Sequence, residues 1–110
     1  MALAAASLPI IRAGAQQAVV ADDNLDQMIT AAKTPADHQA IAAFYEEQAS
    51  DAKKKAALHR RTAETYRSVK IPKPVYMAEM CDGIAAMWDK IAADNSKLAK
   101  AHKNMAKAGK

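Results

Sequence analysis

The chain of 110 residues has a formal net charge of +4, three glycines, one cysteine and few aromatic residues beside its many alanines and lysines. This composition is typical of long packed helices and excludes a sheet-rich or disordered protein, and the lone cysteine excludes a disulfide-stapled scaffold. Acidic and basic residues are interleaved, so nucleic acid is not an expected partner. A chain this short buries a small core, so self-association or a protein partner is expected.

The N-terminal segment has features of a secretory signal. Its first eleven residues are small and apolar, and Ala13, Gly14 and Ala15 have the small-x-small form of a signal-peptidase site. We therefore predict that residues 1–15 are a signal-peptide remnant, that residues 16–110 form one helical domain, and that the protein is exported, most simply to a periplasm. No Lys or Arg precedes the apolar run, which fits a start inside a longer signal. The alternative is an alanine-rich tail without a targeting role.

Three helices are predicted in chain order, so the fold class is all-α. Apolar residues at helical spacing after Asn24 indicate a short helix over about 25–33. Thr34 as N-cap, Pro35 at the first helical position and Asp37 three residues after the cap then predict a long helix over about 35–69. No later stretch approaches the roughly 20 apolar residues of a membrane span, so no transmembrane segment is expected.

A turn at Ile71-Pro72-Lys73-Pro74 separates this helix from a second long one, predicted over about 74–107, because proline cannot continue a helix. Both long helices are acidic early and basic late. Folding back about the turn brings opposite charges together, so the two helices should form an antiparallel hairpin.

The helix faces suggest how this hairpin packs. One face of the first long helix is lined by a row of alanines, and a stripe of larger residues on the second, spaced by four and three, is expected to face it. A second row of alanines beside that stripe makes the helix apolar over a width that one neighbour cannot cover. We therefore expect a three- or four-helix bundle completed by a second subunit or a protein partner, through the apolar face of residues 77–105. The second row consists of Ala78, Ala85, Ala92, Ala99 and Ala106.

Folding about the turn also groups residues that could bind metal. One cluster combines imidazole, thioether and thiol, which together favour copper in its Cu(I) state. The alternative is ordinary core packing by methionine and cysteine, with a histidine satisfied by a neighbouring polar group. The cluster consists of His59, Met77, Met80, Cys81 and Met87.

A second candidate cluster lies at the end of the hairpin away from the turn, where His38 is expected near His102 and Met105. Two imidazoles and a thioether could hold copper, zinc or a b-type haem iron. The alternative is a pair of solvated histidines near helix ends. The absence of a Cys-x-x-Cys-His motif excludes covalent c-type haem attachment.

Two functions from different classes follow. The first is a small exported helical-bundle protein that acts by association, as a homodimer or as an accessory subunit of a larger complex. The alternative is a periplasmic carrier or sensor of soft metal, namely copper. The lysine-rich C-terminal turns could also make weak contact with a membrane surface. No phosphate loop, nucleophile elbow, paired-acid arrangement or His-Glu-x-x-His helix occurs, so we do not expect an enzyme.

Overall fold

The computed structural model describes residues 19–109, and over this range the chain forms three helices and no strand. Helix α1 spans Leu25–Ala31, α2 spans Pro35–Ser68 and α3 spans Tyr76–Lys107. Helices α2 and α3 pack against each other along their length as an antiparallel pair, and α1 contacts α2 but not α3. The all-α hairpin is therefore confirmed, whereas the predicted signal segment lies outside the described residues.

The start of α2 is fixed by local hydrogen bonds. The Thr34 hydroxyl accepts from the Asp37 backbone N–H at 3.1 Å, and the Asp37 carboxylate accepts from the Thr34 backbone N–H at 3.1 Å. This reciprocal capping box satisfies two backbone donors that the first turn would otherwise leave unpaired. Pro35 follows at the first helical position, where its missing N–H costs nothing. The predicted helix start is confirmed.

The turn between the long helices is an extended segment with prolines at positions 72 and 74. Val69 leaves helical conformation at the end of α2, and the Lys73 ammonium donates to its carbonyl at 2.8 Å, which helps to satisfy the helix end. Helix α3 then begins at Tyr76, two residues later than the sequence suggested, without a capping side chain. The turn lies where the two prolines predict it.

Two rows of alanine form the core of the hairpin. Among the described residues, every buried apolar side chain is alanine except Ile41. Because α3 contacts no other described helix, the alanines buried on α3 must face α2. Small side chains let the two backbones approach closely and lose little conformational entropy. The rows are Ala42, Ala49, Ala56 and Ala63 on α2, and Ala78, Ala85, Ala92, Ala99 and Ala106 on α3.

This packing corrects one expectation from the sequence. The large residues of α3 were expected to face the alanine row of α2, but α3 is rotated so that its own alanines take that position. Ile91 and Leu98, two of these large residues, are 41% and 45% exposed. The larger side chains therefore lie at the flank of the hairpin. On α3 they form what we call the outer apolar stripe, consisting of Met80, Ile84, Met87, Ile91, Leu98 and Met105.

The opposite flank carries ion pairs between the helices. Arg67 pairs with Asp82 near the turn, Arg60 pairs with Asp89, and Glu46 pairs with Lys103 toward the open end. Each of these residues lies four positions after an alanine of the buried row on its own helix. The pairs therefore recur at heptad spacing along one edge of the hairpin. Their order confirms the antiparallel orientation. One position in this series has no ion pair, because the two residues there are Lys53 and Ser96.

The two long helices also repeat each other in sequence. A constant offset of 43 positions aligns His59 with His102, Glu46 with Asp89, and Arg60 with Lys103. The Arg60–Asp89 pair is therefore the counterpart of the Glu46–Lys103 pair. The hairpin thus has an approximate internal two-fold symmetry, in which α2 and α3 exchange places. Identical aligned residues include Ile41 and Ile84, Ala49 and Ala92, Asp51 and Asp94, Lys54 and Lys97, and Ala56 and Ala99.

Enlarging a core alanine should destabilise the hairpin. Ala85 is fully buried, so Ala85→Leu would force the helices apart at a cost of about 1–3 kcal/mol. Ala86→Leu is the matched control, because Ala86 is exposed on the same helix and leucine has nearly the helix propensity of alanine. Urea unfolding followed by circular dichroism measures both changes. Equal stability of the two variants would contradict the alanine core.

An ion pair added between positions 53 and 96 should stabilise the protein. Ser96→Glu would place a carboxylate opposite Lys53, and an exposed pair of this kind contributes roughly 0.2–1 kcal/mol. Ser96→Gln is the control for helix propensity, and Lys53→Gln combined with Ser96→Glu isolates the pair in a double-mutant cycle. The gain should fall as salt is added. A coupling energy of zero at low salt would show that positions 53 and 96 are not neighbours.

Candidate functional site

A buried pair of histidines joins α2 and α3 at the open end of the hairpin. His38 comes from the first turns of α2 and His102 from the last turns of α3, and antiparallel packing brings them together. Their Nδ1 atoms are 3.0 Å apart, and their ring centroids are 5.2 Å apart. Each residue is only 8% exposed. The structure therefore brings together the two imidazoles that the sequence grouped in the second cluster.

Aromatic rings cover one side of this pair. The Tyr45 ring stacks on His102 with a centroid distance of 6.0 Å, and Phe44 meets Tyr45 edge to face at 5.6 Å. His102 thus lies between the rings of His38 and Tyr45. Met105, the third predicted member, is 37% exposed and belongs to the outer apolar stripe. The buried part of the cluster consists of the two imidazoles.

The contact between the two Nδ1 atoms restricts the protonation of the pair. One Nδ1 must donate its hydrogen and the other must accept, so both rings cannot be cationic in this geometry. Burial lowers the pKa of His102 below its ordinary value, and the proximity of His38 lowers that pKa further. The neutral form of the His102 ring is therefore favoured at neutral pH, and one of its two nitrogens then carries a lone pair.

The first predicted cluster divides between half-buried and exposed positions. His59, Met77 and Cys81 are half-buried at the flank of the hairpin, and Cys81 is a free thiol. Met80 and Met87 are 58% and 61% exposed, and both lie in the outer apolar stripe. Within residues 19–109, no three His, Cys, Asp or Glu side chains lie close enough together to hold a metal ion. Metal binding by this cluster stays a prediction.

The internal repeat relates the two clusters. The offset of 43 positions aligns His38 with Cys81 and His59 with His102, so the His59 and Cys81 positions are the counterpart of the His38 and His102 pair. The reasoning from helix faces did not find this relation. Aligning the two long helices with each other would have revealed it, because their matching alanines and histidines share one offset.

The lysine-rich end of α3 is partly neutralised by α2. Lys103 pairs with Glu46 beside the histidine pair, so its charge is offset near the imidazoles. None of the helices in the described part of the chain is long and apolar enough to cross a membrane. Contact of this end with a membrane surface stays a prediction.

Comparisons with protein-family models, with curated proteins and with solved structures find no match to this chain. Its function must therefore be argued from its own residues.

The histidine pair should make stability depend on pH. Because the folded-state pKa of His102 is lowered, the unfolded chain binds a proton first as the pH falls. Stability is therefore complete above the unfolded-state pKa of about 6.5 and decreases as the pH falls through and below it. This effect is measured by thermal unfolding of wild type and His102→Gln at a series of pH values. The series runs from neutral pH down to the pH at which carboxylates begin to bind protons.

His59→Gln is the matched control for this experiment, because the half-buried His59 is the repeat counterpart of His102. The pH dependence should be reduced in His102→Gln and retained in His59→Gln. The same pH dependence of stability in all three proteins would show that the buried histidine pair does not cause it.

Proposed function

We propose that the protein acts by association, and that a second copy of the same chain covers the outer apolar stripe to form a four-helix bundle. The observation that carries the proposal is the distribution of apolar side chains. The core of the hairpin is alanine with one isoleucine, while the large residues of α3 remain exposed or half-buried. A larger apolar patch on a small protein is typical of an interaction surface.

The available area supports a dimer of this kind. Helix α3 has 32 residues, so at about 1.5 Å per residue it is about 48 Å long. Two helices of about 10 Å diameter side by side give the hairpin a face of roughly 960 Å². A stable complex buries about 800 Å² on each partner. One face of the hairpin is therefore large enough to hold two copies together.

Charge supports a two-fold arrangement in which α3 runs antiparallel to α3 of the second copy. Apart from the residues that pair with α2, the early part of α3 carries Glu79, and its late part carries Lys97 and Lys100. An antiparallel pairing places the acidic start of each α3 beside the basic end of the other, as in the hairpin itself. A two-fold interface also uses the same patch twice, so one apolar stripe is sufficient.

Three further expectations from the sequence stay proposals: an accessory subunit, export and a soft-metal carrier. An accessory subunit of a larger complex would use the same stripe to bind a different protein. The proposal of export depends on the N-terminal segment. The soft-metal carrier would use His59, Met77, Met80 and Cys81, with Met87 as an additional ligand. The apolar stripe accounts for Met80 and Met87 without a metal.

Sedimentation of the purified protein tests the dimer. We expect Ile91→Glu and Leu98→Glu to weaken dimerisation by roughly a hundredfold or more. Each variant removes one buried side chain per subunit, at about 1.5 kcal/mol or more each, and a tenfold change corresponds to 1.4 kcal/mol.

Ala93→Glu is the control for added charge, because Ala93 is exposed on the same helix away from the stripe. It should leave the dimer intact. A folded wild-type protein that remains monomeric at every concentration would rule out the proposal, and equal dimerisation of all variants would exclude the stripe as the interface.

A further inference from the structure

The buried histidine pair is an exception within the core of the protein. Among the described residues, His38 and His102 are the only buried polar side chains, and the rest of the core is apolar. Their mutual hydrogen bond offsets part of the cost of burying two polar groups, but an apolar residue at both positions would fill the space without that cost. The pair is therefore better explained by a role that needs two imidazole nitrogens at one point.

The geometry of the two nitrogens is close to that of a chelating pair. A tetrahedral ion with Zn–N bonds of about 2.0–2.1 Å holds neighbouring ligand nitrogens roughly 3.3–3.4 Å apart. The Nδ1 atoms are 3.0 Å apart in the metal-free pair, slightly closer than two nitrogens that share a tetrahedral ion. Small side-chain rotations can increase the distance between the two Nδ1 atoms by a few tenths of an ångström without movement of either helix.

We infer that His38 and His102 bind a divalent transition-metal ion of the copper and zinc type between their Nδ1 atoms. Imidazole is a preferred ligand of these ions, and the buried pair contributes neither thiolate nor carboxylate that would select a softer or harder one. The inference is independent of dimerisation, because both ligands come from one chain. Water or a group from a second molecule completes the coordination.

Binding requires a change of tautomer. In the metal-free pair one Nδ1 carries the shared hydrogen, and that ring must move its proton to Nε2 through solvent before both Nδ1 lone pairs can face the ion. No proton is lost overall when both rings are neutral. The nearby ion pair between Lys103 and Glu46 reduces the repulsion that a free ammonium would exert on a cation.

Titration of the folded protein with Zn²⁺ and Cu²⁺ against a chromophoric chelator tests the site. His38→Gln and His102→Gln should each weaken binding at least about tenfold, since even loss of a supporting residue around a metal costs 10–100-fold. His59→Gln is the matched control, and it should bind as wild type does. Circular dichroism of each variant establishes that it is folded.

Nitrogen-15 NMR of the imidazole rings gives a second readout that needs no variant. Zn²⁺ should shift the Nδ1 resonances of His38 and His102 and leave those of His59 unchanged. Absence of binding by wild type, equal losses in all three variants, or shifts confined to His59 would each overturn the inference.

Discussion

Close packing of alanine against alanine between α2 and α3 places most of the larger side chains of these two helices at the edges of the hairpin. Two backbones that approach closely leave no room for leucine or methionine between them, so these residues move to the edges. One edge carries ion pairs from Glu46 to Arg67. The other carries the outer apolar stripe, with Trp88 half-buried beside it and the Lys55 ammonium 5.4 Å from the centre of the indole ring. The two edges of the hairpin therefore differ in polarity.

The internal repeat also relates polar contacts at one end of the hairpin to those at the other end. Because α2 and α3 are related by an approximate two-fold axis, some contacts between the helices have a counterpart at the opposite end. The ion pairs Arg60–Asp89 and Glu46–Lys103 obey this relation in full. The histidine pair does so only in position, since its counterpart contains Cys81 in place of a second imidazole. The two ends of the hairpin have thus become chemically different on a common framework.

Local sequence signals predicted much of this fold. The capping box of Thr34 and Asp37 and the prolines of the turn act over a few residues, so their effect could be inferred without a structure. The pairing of His38 with His102 followed from folding the chain about the turn. The rotation of α3 about its axis could not be predicted, because its alanine row and its row of large residues have the same period. Which row faces α2 depends on how closely the helices approach, and spacing alone does not report that distance.

The heptad spacing of the alanines has a consequence for folding. A slip of α3 by seven residues would again place alanine opposite alanine, so the apolar core alone does not distinguish the native alignment from its neighbours. A slip in one direction brings Lys103 beside Lys53 and is opposed by like charge. A slip in the other direction keeps carboxylates beside Lys53 and Arg60, but it separates His38 from His102. Contact between the two buried imidazoles is therefore made in only one of these alignments, and it distinguishes the native pairing from its neighbours.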